Sequence, residues 1–365
     1  MPGEADAMDC GQERAPRVWI LAGHKAGDNA QLMALANALG WPFEVKRLVY
    51  RRTELATNLF LRVTLAGTVP GRSSALEPPW PDLVLTAGRR NEPVARWIRS
   101  QAGGATKLVH VGRPWTSPRQ FDLVVTTPQY EIPAAANVLT IGMPLHAITP
   151  AALEGPAAEW EPRLRQMPHP RITVLVGGSS PPYRFGPNEG TRLGRTVDER
   201  ARRAGGSLLI TTSARTAPAA AAALEGELHA PCLFHRWRGD ATENPYRAFL
   251  AVADEIVVTG DSISMLAEAT STGKPVFIFD LGGMRERGPR PLSTARDGRS
   301  LLHLVLMRIA PRRMRRDTRT LLQAAVADGR AAWLGKSNPT VAAAHSDDLA
   351  QAAAAVRRLF GVAAS

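Results

Sequence analysis

Residues 17–40 read RVWILAGHKAGDNAQLMALANALG, and how they divide decides the fold. RVWILAG is a short apolar run ending in glycine. GHKAGDNAQ is polar, and QLMALANAL carries its apolar residues at helical spacing until Gly40 closes it. A strand, a loop and a helix follow in that order. The same alternation continues outward through FEVKRLVY and PDLVLTAG, a helix expected over Glu92 to Arg99, and the β-rich runs TKLVHVG and FDLVVTT. Strands separated by helices predict a parallel, doubly wound sheet.

A second series starts at RITVLVGG, residues 171–178. It continues with a helix over Thr191 to Ala204, SLLITTSAR, a helix over Ala217 to Leu228, PCLFHRW, EIVVTGDS, a further helix and KPVFIFDL. Between the series, Thr149 to Pro170 holds five prolines and no strand-like run, which reads as a linker with a short helix around Ala151 to Trp160. The expected fold class is therefore α/β, with two Rossmann-like doubly wound domains facing a central cleft. The expected division is a disordered tail over 1–16, a first domain over 17–150, a linker over 151–170, and a second domain over 171–365 that includes the closing helices.

Size and composition agree with two packed cores: the chain has 365 residues, 44% of them apolar and 21% charged. Cys10 and Cys232 are the only cysteines, with no CxxC spacing, which argues against a disulfide scaffold or a zinc site. The N-terminal residues lack the apolar core of a signal peptide, and no window reaches about 18 consecutive apolar residues. A cytoplasmic location without a membrane span is the expectation. The excess of 45 Lys and Arg over 33 Asp and Glu favours phosphate-bearing partners. Nucleic acid is disfavoured among them, because no aromatics interleave with Arg and Gly.

Ligands of parallel α/β sheets gather where strands end, so four loops are candidates. Gly177, Gly178, Ser179 and Ser180 follow RITVLV, where glycines let backbone N–H groups approach an oxyanion; an ordinary tight turn is the alternative. Thr211 to Thr216 place several hydroxyls, Ser213 among them, beside the Arg215 guanidinium, which suits a diphosphate. Equally, Thr216 can serve as the cap of a helix with Pro218 in its first turn. TGDSISMLAE, residues 259–268, runs from a strand end into a helix mouth at Ser262 and Ser264. Glu268 sits one turn on, where a carboxylate can accept from both ribose hydroxyls; capping by Asp261 or Ser262 with a solvated Glu268 is the alternative. Gly23 to Gln31 form the fourth loop, with His24 or Asp28 as candidate general base toward an acceptor hydroxyl, or Asp28 as a simple helix cap. No GxGxxG, GxxxxGK[ST] or HExxH motif occurs, the histidines lack ligand spacing, and no DxD-like pair flanks a strand end, so no metal and no cofactor beyond the donor nucleotide are expected.

Read together, VWILAGHKAGDNAQ, HVGRPWTSPRQFDLVVTTPQYEIP, LLITTSARTAP, ENPY and VTGDSISMLAEATSTGKPV resemble the mitochondrial-fission ELM family, over roughly Arg17 to Leu281. That family is similar to GT-B glycosyltransferases and to UDP-N-acetylglucosamine 2-epimerases. The resemblance implies a GT-B architecture with the acceptor on the N-terminal side and a nucleotide sugar on the C-terminal side. It puts Gly178, Ser179, Ser213, Arg215, Ser262, Ser264 and Glu268 where the donor nucleotide is held. Many family members read GKAGHxxQ in the first loop, and here Asp28 stands at the usual histidine position. Glycosyl transfer from a nucleotide-diphosphate sugar is the function the resemblance implies; the alternatives are sugar-nucleotide epimerisation, for which the identifiable loops hold too few acidic residues, and the non-enzymatic adaptor role associated with plant members. Finally, Arg312, Arg313, Arg315, Arg316 and Arg319 crowd beside LLHLVLM. They form a solvated helix face or, through Arg312, Arg313, Arg315 and Arg316, a contact with an anionic membrane surface.

Overall fold

A computed structural model of the chain describes residues 14–51, 63–239, 244–286, 316–336 and 347–362, together with Leu302 and Val305. The first series forms β1 (Val18–Ala22), α1 (Ala26–Leu39), β2 (Phe43–Arg47), β3 (Leu83–Ala87), α2 (Glu92–Gln101), β4 (Lys107–Val111), β5 (Leu123–Thr126) and β6 (Val138–Thr140). After α3 (Pro150–Leu164) come β7 (Arg171–Gly178), α4 (Pro187–Ala204), β8 (Ser207–Arg215), α5 (Pro218–Glu225), β9 (Cys232–His235), α6 (Tyr246–Val252), β10 (Glu255–Thr259), α7 (Ile263–Thr270) and β11 (Val276–Phe279). The last described elements are α8 (Arg319–Ala327), β12 (Ala332–Trp333) and α9 (Asp348–Arg358).

The strands assemble into two six-stranded sheets, ordered β2-β1-β3-β4-β5-β6 and β12-β11-β10-β7-β8-β9, and every named pairing is parallel. Strands buried on both faces read as continuous apolar runs, which is why all of RITVLVGG is buried in β7. In each sheet the strand order reverses once: between β1 and β3 in the first, between β7 and β10 in the second. A crevice opens at the carboxyl ends of such a pair. The two reversals therefore bring the loops after β1 and β3 together in one half, and the loops after β7 and β10 together in the other.

Helices cover both sheets. On α4, Gly190 and Gly194 let the backbone of α5 come close, since a Cβ there would lie 2.3 Å from Ala220 O and 2.6 Å from Leu224 O respectively. Two features differ from the sequence expectation. The proline-rich stretch expected to be mostly linker forms the full helix α3, begun by Thr149, whose Oγ1 accepts from Ala152 N at 3.2 Å, and containing Pro156 and Pro162. Burial of Trp160 and Leu164 against Leu209 and Phe249 of the second half offsets the bonds those prolines forfeit. The expectation that everything after residue 171 stays with the second sheet fails for α9. Its Ala352, Ala353, Ala355 and Val356 pack with Leu32 and Leu35 of α1. Its first residue, Asp348, accepts from Gly142 N at 2.8 Å and Met143 N at 2.9 Å. The chain thus crosses back to the first half at its end, and the alanine-rich helix is apolar because it fills that core.

Candidate functional site

At the β7/β10 reversal the backbone of β7 passes directly over the turn after β10. A Cβ on Gly177 would lie 2.6 Å from Asp261 Oδ2 and 2.8 Å from Ser262 Cβ, so only glycine fits. Gly178 adopts φ 109°, and its position would put a Cβ 2.3 Å from Arg215 O. Arg215 in turn reaches back: its Nη1 lies 2.9 Å from Asp261 Oδ2, with the arginine side chain 41% exposed and the aspartate fully buried. Thr259 Oγ1 donates to Asp261 Oδ1 at 2.7 Å and accepts from Gly177 N at 2.8 Å. Burial pushes the Asp261 carboxyl up to about 6, with Arg215 and the Thr259 hydroxyl pulling the other way.

Asp261 therefore lies underneath the loop as the anchor of Arg215, and the helix cap is Ser262, which makes no side-chain capping bond. The first N–H groups of α7 are left without an intrahelical partner at this mouth. Hydroxyls that the sequence offers as donors are engaged in the frame. Ser213 Oγ donates to Gly177 O, Ser179 Oγ accepts from Phe185 N at 3.0 Å, and Thr216 Oγ1 accepts from Ser213 N at 3.1 Å and donates to Val176 O at 3.2 Å. Thr216 is not the cap of α5; Ala217 is, with Pro218 at the first helical position as expected. Glu268 is half-buried and accepts from the Tyr246 hydroxyl, and desolvation raises its pKa.

The β1/β3 reversal is built differently. Asn29 brackets Gly23, accepting from its N–H at 3.0 Å and donating to its carbonyl at 2.9 Å. Asn91 is buried, donates to Leu21 O at 2.7 Å and accepts from the Tyr50 hydroxyl at 2.5 Å. Asp28 lies in the first turn of α1 and Lys25 is its cap residue, again with no side-chain capping bond. The capping role weighed for Asp28 is thus not its role here; its carboxylate is 3.9 Å from Lys25 Nζ and faces Gly88. His24 is exposed, its Nδ1 3.5 Å from Arg90 Nη1.

The two reversals meet. A Cβ on Gly27, in the first turn of α1, would lie 3.7 Å from Ser264 Oγ, in the first turn of α7. Two uncapped helix mouths, each the positive end of its dipole, therefore converge across the cleft beside Arg215.

Residues 26–360 match the family described as Mitochondrial fission ELM1. The chain belongs to that family. Mitochondrial fission protein ELM1 of Arabidopsis thaliana is 29% identical over 242 residues, which are 60% of this chain and 56% of that relative, so the match spans little more than half of the plant protein's length. Among solved structures, UDP-GlcNAc 2-epimerase from Neisseria meningitidis bound to UDP-GlcNAc is 13% identical, with 86% of this chain and 100% of that one covered at a TM-score of 0.44. A glycosyltransferase from Rickettsia africae ESF-5 is 9% identical, with 86% and 94% covered at a TM-score of 0.45. The GT-B arrangement of this ELM1-family chain rests on its own strand orders, facing reversals and returning helix.

Thr259, Asp261 and Tyr246 are the site residues that loop-by-loop reading gave no role in ligand binding. Tyr246 stands in the ENPY segment, whose apolar aromatic amid polar neighbours was the available signal. Among the basic residues near the C-terminus, Arg316 donates to Gln129 Oε1 at 3.3 Å. Arg319 is buried and grips Asp317 through Nε–Oδ1 at 2.9 Å and Nη2–Oδ2 at 2.6 Å. The partner of Arg316 is thus neutral, whereas Arg319 is charge-paired with Asp317; Arg312, Arg313 and Arg315 lie outside the described residues. No helix among the described residues is long and apolar enough to cross a membrane, and none of their His, Cys, Asp and Glu side chains cluster in threes to hold a metal.

Proposed function

We propose that the cleft binds a nucleoside diphosphate joined to a sugar and that the chain transfers that sugar to an acceptor hydroxyl. The observation that carries this reading is the convergence of the α1 and α7 mouths at Gly27 and Ser264 beside Arg215. Unpaired N–H groups, two dipole ends and a guanidinium are the donors a diphosphate needs. In the reaction, the acceptor oxygen bonds to the anomeric carbon as the bond from that carbon to the diphosphate oxygen breaks. The diphosphate leaves with the electron pair, and its growing charge is what Arg215 and the α7 mouth stabilise. The acceptor's proton passes to a base, for which His24 and Asp28 are the candidates on the α1 side. Glu268, held by the Tyr246 hydroxyl, is assigned to the ribose.

Calorimetric titration with UDP, GDP and CMP derivatives tests the binding, and analysis of sugar products tests the transfer. Arg215→Gln is expected to weaken a nucleoside diphosphate by at least about 1.5 kcal/mol, the loss of a charge-assisted bond. Because Arg215 also neutralises Asp261, the reference for folding is Arg215→Gln combined with Asp261→Asn. An affinity unchanged in both would remove Arg215 from the site. Glu268→Gln should weaken nucleoside diphosphates and leave inorganic pyrophosphate unaffected; equal losses for both contradict the ribose assignment.

A further inference from the structure

A buried acid is an unexpected foundation for a loop that receives an anion, yet Asp261 occupies that place. Its side chain is fully buried. Gly177 of β7 faces it with backbone, the Thr259 hydroxyl of β10 donates to its Oδ1 at 2.7 Å, Ser262 follows it into the α7 mouth, and Arg215 of β8 lies 2.9 Å from its Oδ2. Of these groups Arg215 alone is charged. Arg215 Nη1 meets Oδ2 in distance but not in hydrogen-bond alignment, so Oδ2 accepts no hydrogen bond. Charge holds the pair, and the arginine side chain is 41% exposed.

A diphosphate arriving at Arg215 competes for the same guanidinium. It carries more charge than the carboxylate and can accept two parallel N–H bonds. Whether Arg215 turns to it or is shared, the effect on Asp261 has one sign: the attraction that keeps the carboxylate ionised weakens, and a new negative charge stands nearby. A buried carboxylate deprived of its cation neutralises instead of staying charged. In the free protein, burial already lifts Asp261 to about 6 against the pull of Arg215, so a modest loss of that pull carries it through neutral pH.

We propose that Asp261 is a proton-linked positioning residue: as the diphosphate of a nucleotide sugar engages Arg215, Asp261 Oδ2 takes up one proton from water and releases the guanidinium to the ligand. Asp261 becomes neutral, and the full charge of Arg215 then serves the diphosphate. When the diphosphate leaves, Arg215 returns and the proton is lost. Affinity therefore rises as pH falls from 8 towards 6. This linkage rests on the nucleotide-sugar reading of the cleft and adds to it the means by which an acid can lie beneath an anion without repelling it.

The test is calorimetry on the full chain with UDP-glucose and GDP-mannose, whose diphosphates carry no group that titrates near pH 7, in two buffers of different protonation enthalpy. Wild type is expected to take up about half a proton or more per ligand at pH 7 and to lose at least about fivefold in affinity between pH 6 and pH 8. Asp261→Asn should bind with uptake near zero and an affinity that is flat over that range. Uptake that survives in Asp261→Asn, or wild type that binds without uptake, overturns the linkage and leaves the nucleotide reading standing. Binding of neither ligand to wild type overturns both. A ligand-free measurement covers an Asp261→Asn variant that fails to fold. In Arg215→Gln the acid has lost its cation, so the fall in melting temperature that belongs to Asp261 should move up by about one pH unit or more. A fall at unchanged pH shows that Arg215 does not control Asp261 and overturns the proposal.

Discussion

At the β7/β10 reversal the chain approaches itself through glycine, and a buried charge lies beneath the loop. Gly177 leaves room for Asp261, and Asp261 holds Arg215 at the rim. At the β1/β3 reversal, polar side chains do the same work. Asn29 and Asn91 tie down the strand end, and a Cβ on Gly23 would find Asn91 at a comfortable 3.5 Å. One half is shaped by steric exclusion around an ion pair, the other by neutral hydrogen bonds. The first design holds one guanidinium in a fixed place; the second fixes a strand end without a charge beneath it.

The largest expected effect separates the two glycines. Gly177→Ala should destabilise the protein by about 3 kcal/mol or prevent folding, since its methyl would overlap the Asp261 carboxylate. Gly23→Ala should cost under about 1 kcal/mol. Comparable losses in denaturant melts of both would erase the contrast.

Next comes pH. Asp261 and Glu92 are acids raised by burial, from 3.8 to about 6 and from 4.5 to about 7, so the folded state binds more protons than the unfolded chain between those values. Their ionisation costs nothing below pH 4, grows as pH rises, and is complete above about 7, which makes stability fall over that window. At about 1.4 kcal/mol per pKa unit each contributes on the order of 3 kcal/mol. Glu92→Gln should flatten the upper part of the melting-temperature profile and Asp261→Asn the lower part. A profile in which either variant parallels wild type contradicts that carboxyl's assignment.

Asn91→Ala should cost roughly 2 kcal/mol, because the Leu21 carbonyl loses its buried partner. Hydrogen exchange should then quicken around residues 21–23 and stay unchanged around 177–178; equal change at both would show that the two strand ends open together. The smallest effect belongs to Lys25, whose side chain is 63% exposed and 3.9 Å from Asp28. Lys25→Ala should shift stability by less than about 0.5 kcal/mol. A larger shift in melting would assign Lys25 a structural role at the α1 mouth.

The sequence by itself determined the alternation of strand and helix, the two parallel series and the loops that meet where the strands end. Those follow from periods of two and 3.6 residues and from glycines at strand ends, which are local properties. It also placed Arg215 at a strand end, Ser262 at a helix start and Glu268 within that helix. It misjudged α3, whose prolines signal a linker while Trp160 and Leu164 find a core, and it assigned α9 to the wrong half, because an alanine-rich face does not say which core it fills. Only the tertiary structure decided that Asp261 pairs with Arg215, that Tyr246 holds Glu268, and that Arg316 reaches Gln129. The physical reason is strand order. β7 lies between β8 and β10, and the segment before α8 returns to β5, so residues far apart in sequence become neighbours through pairings that no local pattern records.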